Sequence, residues 1–164
     1  MPQSSRFAVF GIGRYGTQIA LALASKGAEV FTFDSNSVRS ENIKDSVALA
    51  VTLDSTDIRA LKTQRVQDMD AAVVAIGENF EATVLTALNL LDLGVPRVIV
   101  RSNGEHQQRI LSSLGVKEIL TPESEVASVI SERLIHPNIG GFLELPDDYE
   151  IAEIHAPKNC IGRP

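Results

Sequence analysis

Phe7-Ala-Val-Phe-Gly11-Ile-Gly13-Arg14-Tyr15-Gly16, answered further on by an acid at Asp34, is the stretch whose reading decides the fold. An apolar run leads into three glycines spaced G-x-G-x-x-G. A helical pattern follows (Ile19, Leu21, Ala22, Leu23), then a second apolar run from Ala28 to Phe33 that stops at Asp34. Strand, tight turn, helix, strand and acid in that order predict the first half of a dinucleotide-binding fold. Gly11 permits the sharp turn, Gly13 lets the backbone approach a phosphate, and Gly16 lets the helix lie close to the strand. The free N–H groups and positive dipole end of that helix favour an anion. Asp34 stands at a strand end, where a carboxylate accepts ribose hydroxyls.

Outward from this stretch, short apolar runs alternate with helical patterns. Helices are expected near Val38 to Lys44, Asp57 to Lys62, from a cap at Asn79 to Gly94, and near Glu105 to Leu114. Strands are expected near Val47 to Leu53, Ala71 to Ile76, Arg97 to Arg101 and Lys117 to Leu120. Gly94 followed by Pro96 is a helix stop. Strands apolar on both faces between helices indicate a parallel sheet covered on both sides. The fold class expected is therefore α/β, a doubly wound, Rossmann-like parallel sheet of six strands.

The end of the chain reads differently. Thr121 and Pro122 look like the cap and first residue of another helix, with Val126, Val129, Ile130 and Leu134 on one stripe and Pro137 as its stop. Such a stripe packs on its own sheet or forms a dimer contact. Asn138 to Gly141 and Leu145 to Asp148 read as loops, and Tyr149 to Ile154 as the opening strand of an incomplete second lobe. The expected division is residues 1–136 for nucleotide binding with the last helix, and 137–164 for linker and first strand.

Composition narrows the function classes. The chain has 164 residues, 44% hydrophobic and 22% charged, with a net charge of −6. That acidity argues against a nucleic-acid partner, and no lysine or arginine run offers a local exception. Apolar stretches such as Ala71 to Ile76 are too short to span a bilayer. No charged-then-apolar leader opens the sequence, which argues against secretion. A lone Cys160 excludes an intrachain disulfide and fits a reducing cytoplasm. His106, His136 and His155 have no metal-ligand spacing, so no metal site is expected.

In an open parallel sheet, ligands bind beyond the carboxyl ends of the strands. The loops there are Gly11 to Gly16 with Ile12, Arg14 and Tyr15 inside it, then Asp34-Ser35-Asn36, Asp54-Ser55-Thr56, Gly77-Glu78-Asn79, Arg101-Ser102-Asn103 and Thr121-Pro122-Glu123. Arg14 is placed to neutralise phosphate charge. Arg101 either reaches a terminal phosphate or pairs with Asp34 or Glu123. Asp34 disfavours a ribose 2′-phosphate, so NADP is the least expected dinucleotide; Arg39, which would counter that, is expected on the next helix. Glu123 complements a helix dipole or helps to hold a cation beside a di- or triphosphate. A dehydrogenase needs an acid–base group beside its cofactor. The Tyr-x-x-x-Lys pair of single-domain dehydrogenases is absent, because Tyr15 and Tyr149 are followed at that spacing by Ile19 and Glu153. A nucleotide cradle without visible chemistry suggests a sensor and no catalytic residue. The competing readings are an NAD-dependent oxidoreductase cofactor domain and an NAD(H) redox sensor.

The glycine motif with its Arg14, Val73 to Asn79, Val100 to Asn103 and Ile119 to Glu123 together resemble the regulatory RCK (KTN, TrkA-N) domain. This is the cytosolic nucleotide-binding subunit of Ktr/Trk-type bacterial potassium uptake systems, and the likeness runs from about Arg6 to Leu134. The resemblance implies binding of ATP or ADP, or in some members NAD(H). It implies phosphate contacts from Gly11 to Gly16 and Arg101, ribose contacts from Asp34 and Asn36, and an adenosine side lined by Asp54, Gly77 and Asn79. Glu123 would project near the terminal phosphate of a neighbouring subunit's nucleotide. The last helix would be a crossover forming homodimers, which assemble into a ring at the cytoplasmic face of a membrane potassium channel or transporter. Arg101 departs from the lysine common in relatives, keeping the charge and changing its geometry.

Overall fold

The computed structural model describes residues 5–136, 139–144 and 149–154. Compactness divides the chain into residues 1–121 and 122–164. The expected functional division after residue 136 stays a proposal.

In the first unit, six strands form one parallel sheet in the order β3-β2-β1-β4-β5-β6. They are β1 (Arg6–Phe10), β2 (Glu29–Asp34), β3 (Leu49–Thr52), β4 (Ala71–Val74), β5 (Val98–Arg101) and β6 (Glu118–Leu120). The helices between them are α1 (Arg14–Ser25), α2 (Ser37–Ile43), α3 (Ile58–Thr63), α4 (Phe80–Asp92) and α5 (Glu105–Ser113). The doubly wound six-stranded sheet expected from the sequence is the sheet observed. Strand β1 pairs with both β2 and β4, Phe10 standing opposite Phe33 on one side and Val74 on the other. The chain order reverses between β1 and β4, so the loops after those two strands open at the same switch point.

Alternation along the strands builds a core on each face. Ala8, Phe10, Phe33, Ala72, Val74, Val98 and Val100 meet Leu61 of α3, Ala87 and Leu90 of α4 and Leu111 of α5. Val9 and Val30 point the other way, against Ala20 of α1 and Ile43 of α2. The Phe10 and Phe33 rings stack at 4.8 Å between centroids. That pair lies on the two strands whose C-terminal ends carry the glycine loop and Asp34, which fixes one loop against the other.

The second unit contains α6 (Pro122–Ile135) and an antiparallel pair, β7 (Ile139–Glu144) and β8 (Glu150–Ile154). The strand expected over Tyr149 to Ile154 is β8, but β7 precedes it, so it is not the opening strand of this unit. The expectation of a loop over Asn138 to Gly141 needs correction, because Ile139 to Gly141 belong to β7. The ladder shifts register between Ile139 and Gly141, and glycines inside a strand commonly mark such a bulge. Gly140-Gly141 therefore bends a strand where its composition suggests a loop. Asn138, Leu145 to Asp148, Pro137, His155 and Cys160 lie outside the described residues.

Candidate functional site

The glycine loop has three glycines with three separate geometric reasons. Gly11 has φ of +86°, and a Cβ there would stand 2.9 Å from the Ile76 main-chain nitrogen. Its own N–H donates to the Phe33 carbonyl at 2.8 Å. A Cβ on Gly16 would stand 2.0 Å from the Gly11 carbonyl oxygen, so the start of α1 could not lie against the loop with any other residue there. A Cβ on Gly13 would meet open space, with nothing within 4 Å. Gly13 caps α1 without a side chain, and the first turn of α1 contains no acid. The amides of Arg14, Tyr15 and Gly16 precede the first intrahelical bond, which runs from Thr17 N–H to the Gly13 carbonyl at 2.9 Å. Every other helix of the sheet unit differs: α2, α3 and α4 are capped by Asn36, Asp57 and Asn79, and α5 has Glu105 in its first turn. The amide crown of α1 combines neither device, so it presents positive potential to an anion.

Asp34 lies under this loop. Its side chain is 4% exposed. Oδ2 accepts the Ile12 N–H at 2.6 Å, and Oδ1 accepts the Asn36 N–H at 2.8 Å. Arg39 stands on α2 as expected, and its Nη1 also comes within 3.5 Å of Asp34 Oδ2, an ion pair that its sequence position did not reveal. Asn36 Oδ1 accepts the Val38 N–H at 2.9 Å as the α2 cap, while Ser35 between the two is exposed.

The loops after β3 and β4 are held by residues the sequence reading missed. Asp54 Oδ1 accepts the Thr56 N–H and hydroxyl at 2.9 and 2.7 Å, closing a local turn. Ser55 shares a 2.7 Å hydroxyl–hydroxyl bond with Thr86, a fully buried residue of α4. One turn further on, Asn89 Nδ2 donates to the Ser55 and Thr56 carbonyls at 3.2 and 2.9 Å. Thr83 donates to the Ile76 carbonyl at 3.1 Å. Thr83, Thr86 and Asn89 recur every three residues on an apolar helix, and that polar stripe was the available signal.

Beside the glycine loop, the Arg101 guanidinium lies over the Tyr15 ring, 5.3 Å from its centroid. Gly77 leaves room for it, since a Cβ there would stand 2.9 Å from Arg101 Nη1. Asn103 Nδ2 donates to the Gly77 carbonyl at 2.7 Å, joining the β4 and β5 loops. Asn79 Oδ1 accepts the Ala82 N–H at 3.0 Å, capping α4. Gly11 to Gly16, Asp34 to Asn36, Asp54, Ser55, Gly77, Asn79 and Arg101 thus all lie at the carboxyl edge of one sheet. Arg14 is exposed on the first turn of α1. Glu123 belongs to the second unit, exposed in the first turn of α6. Among the described residues, no group of three or more His, Cys, Asp or Glu side chains is arranged to hold a metal ion, and no helix is long and apolar enough to cross a membrane.

Comparison with known proteins agrees with this fold. Residues 7–122 match the family model of the TrkA-N domain. The Ktr system potassium uptake protein C of Bacillus subtilis (strain 168) is 35% identical over 156 residues, covering 95% of this chain and 71% of that protein. The TrkA-N domain of the inner membrane protein ybaL from Escherichia coli superposes with a TM-score of 0.70 at 15% identity, covering 82% of this chain and 99% of that one. The GsuK channel has been solved bound to NAD; it superposes with a TM-score of 0.66 at 15% identity, covering 89% of this chain and 26% of that one. GsuK bound to ADP gives 0.61 at 14% identity over 73% and 31%.

Proposed function

From the premise that this chain belongs to the TrkA-N domain family, we propose that it is a nucleotide-sensing regulatory subunit gating a membrane potassium channel or transporter. The observation that carries the reading is the uncapped amide crown of α1, open above Gly13 at the switch point, with a buried carboxylate beside it. ATP or ADP is the ligand of choice, with NAD(H) as the alternative that the NAD-bound GsuK channel favours. The amides from Gly13 to Gly16 and Arg14 hold the phosphates, Arg101 approaches them, and Asp34 takes the ribose on its remaining lone pairs with Asn36 beside it. Asp54, Ser55, Gly77 and Asn79 line the adenosine side. No catalytic residue is assigned.

The exposed stripe of Val126, Val129, Ile130 and Leu134 supports a homodimer built through α6, with dimers assembling into a ring. Glu123 then serves the nucleotide of a neighbouring subunit. The working place of such an assembly is the cytoplasmic face of the membrane, reached through the transport partner.

A ligand shifts conformation only by its differential affinity for two states. ATP and ADP must therefore differ in affinity or in the shape they stabilise. Calorimetry with ATP, ADP, NAD⁺ and NADH, paired with X-ray scattering, is expected to show tighter or structurally distinct binding of ATP relative to ADP. Equal affinities with identical scattering profiles would overturn gating by these nucleotides. NADH displacing ATP at lower concentration would favour the redox sensor.

A further inference from the structure

We infer that Asp34 is a positioning residue for the phosphate cradle as well as a holder of ribose, its carboxylate fixing the glycine loop in shape before any ligand arrives. The inference rests on the nucleotide-binding reading above and deepens it. Ile12 sits between Gly11 and Gly13, the two residues of the loop with most conformational freedom to lose. A fixed point between them is needed if the amide crown is to be preformed. The Ile12 N–H meets Asp34 Oδ2 at 2.6 Å, across 22 residues of chain and in a buried setting. Hydrogen bonds to an ionised acceptor in such a place are short and strong. Oδ1 is tied down by the Asn36 N–H at 2.8 Å, so the carboxylate cannot rotate away. Arg39, 3.5 Å from Oδ2, offsets part of the cost of burying the charge. Oδ2 carries both the Ile12 bond and the Arg39 pair, whereas Oδ1 carries the Asn36 bond alone and keeps acceptor capacity for a ribose hydroxyl. Ribose grip and phosphate cradle are thus joined through a single carboxylate.

The two roles predict opposite signs for a ribose-free ligand. If Asp34 only held ribose, neutralising it would leave inorganic pyrophosphate binding unchanged or tighter, since a negative charge near an anion site is removed. If it positions the loop, Asp34→Asn weakens pyrophosphate too. Asparagine has one acceptor oxygen, and its NH₂ would face an N–H, so either the Ile12 or the Asn36 bond is lost.

The test titrates pyrophosphate and ADP into the wild-type and Asp34→Asn chains, following the amide resonances of Arg14, Tyr15 and Gly16. The expected result is about tenfold weaker pyrophosphate binding, the effect of one charge-assisted hydrogen bond, and a larger loss for ADP. Pyrophosphate binding as well as or better than in wild type, with ADP alone weakened, overturns the positioning role and leaves the nucleotide reading standing. Wild-type protein that binds neither ligand overturns the nucleotide reading itself. A second measurement needs no variant: in the ligand-free wild type, the Ile12 amide is expected to exchange at least about a hundredfold more slowly than that of Arg14. Equal exchange rates would overturn the preformed loop.

Discussion

The sheet unit and α6 use the same kind of sequence pattern and end with opposite burial. Leu90 of α4 and Leu111 of α5 are fully buried, each on an apolar face that the sheet covers. On α6, Leu134 is 77% exposed and Val126 61%, and no residue of the helix is buried. Periodicity therefore announces that a face exists without saying what covers it. In the sheet unit the cover is supplied by neighbouring strands, whose own alternation can be read beside the helix. For α6 a second copy of the chain is the proposed cover.

The largest effect separating the two regions should come from matched leucine truncations. Leu90→Ala empties a fully buried site and is expected to cost about 2–5 kcal/mol in urea unfolding. Leu134→Ala is expected to cost less than about 0.5 kcal/mol at low protein concentration, as exposed positions do. It should also remove any concentration dependence of the melting temperature that dimerisation confers. A Leu134→Ala penalty equal to that of Leu90→Ala at every concentration would break the contrast, since it would place the stripe within the folded chain.

Next in size is Gly16→Ala, which probes whether the sheet unit's rigidity extends to its ligand edge. The added Cβ would fall 2.0 Å from the Gly11 carbonyl oxygen, so loop or helix must move. Overpacking of that kind costs about 1–3 kcal/mol. Because the displaced group is the glycine loop, saturable nucleotide binding should disappear while the cooperative unfolding of the sheet unit survives. Retained ADP affinity in a folded variant would show the loop to be soft, and would weaken the case for a preformed cradle.

How much of this was legible in the sequence follows the same divide. From Phe7 to Asp34, local rules agree with one another: apolar strand, glycine turn, helix, strand, acid. The cap at Asn79 was read correctly for the same reason, as a short-range signal with a short-range bond to Ala82. Strand β7 was missed because Gly140-Gly141 satisfies the local rule for a loop, while its pairing with β8 is a longer-range fact. Within the candidate site, the residues at the strand ends were legible because topology alone puts them there. Their bonds were not. That Arg39 pairs with Asp34, that Thr86 and Asn89 hold the loop after β3, and that Arg101 stacks over Tyr15 all depend on distances between elements remote in sequence. Arg65, the one described non-glycine residue with positive φ, at 53°, likewise carries no local signature.

The smallest effect tests whether surface charge contributes to the sheet unit's independence. Arg97 and Glu118 form a two-pronged pair at the edge of the sheet, with Nε to Oε1 and Nη2 to Oε2 both 2.6 Å. The hydrogen bonds from Arg97 hold the Glu118 carboxyl below its ordinary range, against a smaller opposing effect of desolvation. The folded-state pKa is thus depressed, so the pair's contribution is fully present above the ordinary carboxylate range and lost as pH falls through the folded value. The Arg97 side chain is 58% exposed and that of Glu118 41%, and solvent screening keeps such pairs weak. Glu118→Gln should therefore lower the melting temperature at neutral pH by far less than Leu90→Ala does, and the gap from wild type should close as the solution is acidified or its salt raised. A loss comparable to Leu90→Ala would mean that the edge strand β6 is pinned to its neighbour β5 by this pair, and that the unit's autonomy rests on its edge as much as on its two buried cores. A gap that widened on acidification would reverse the sign and exclude the pair as its source.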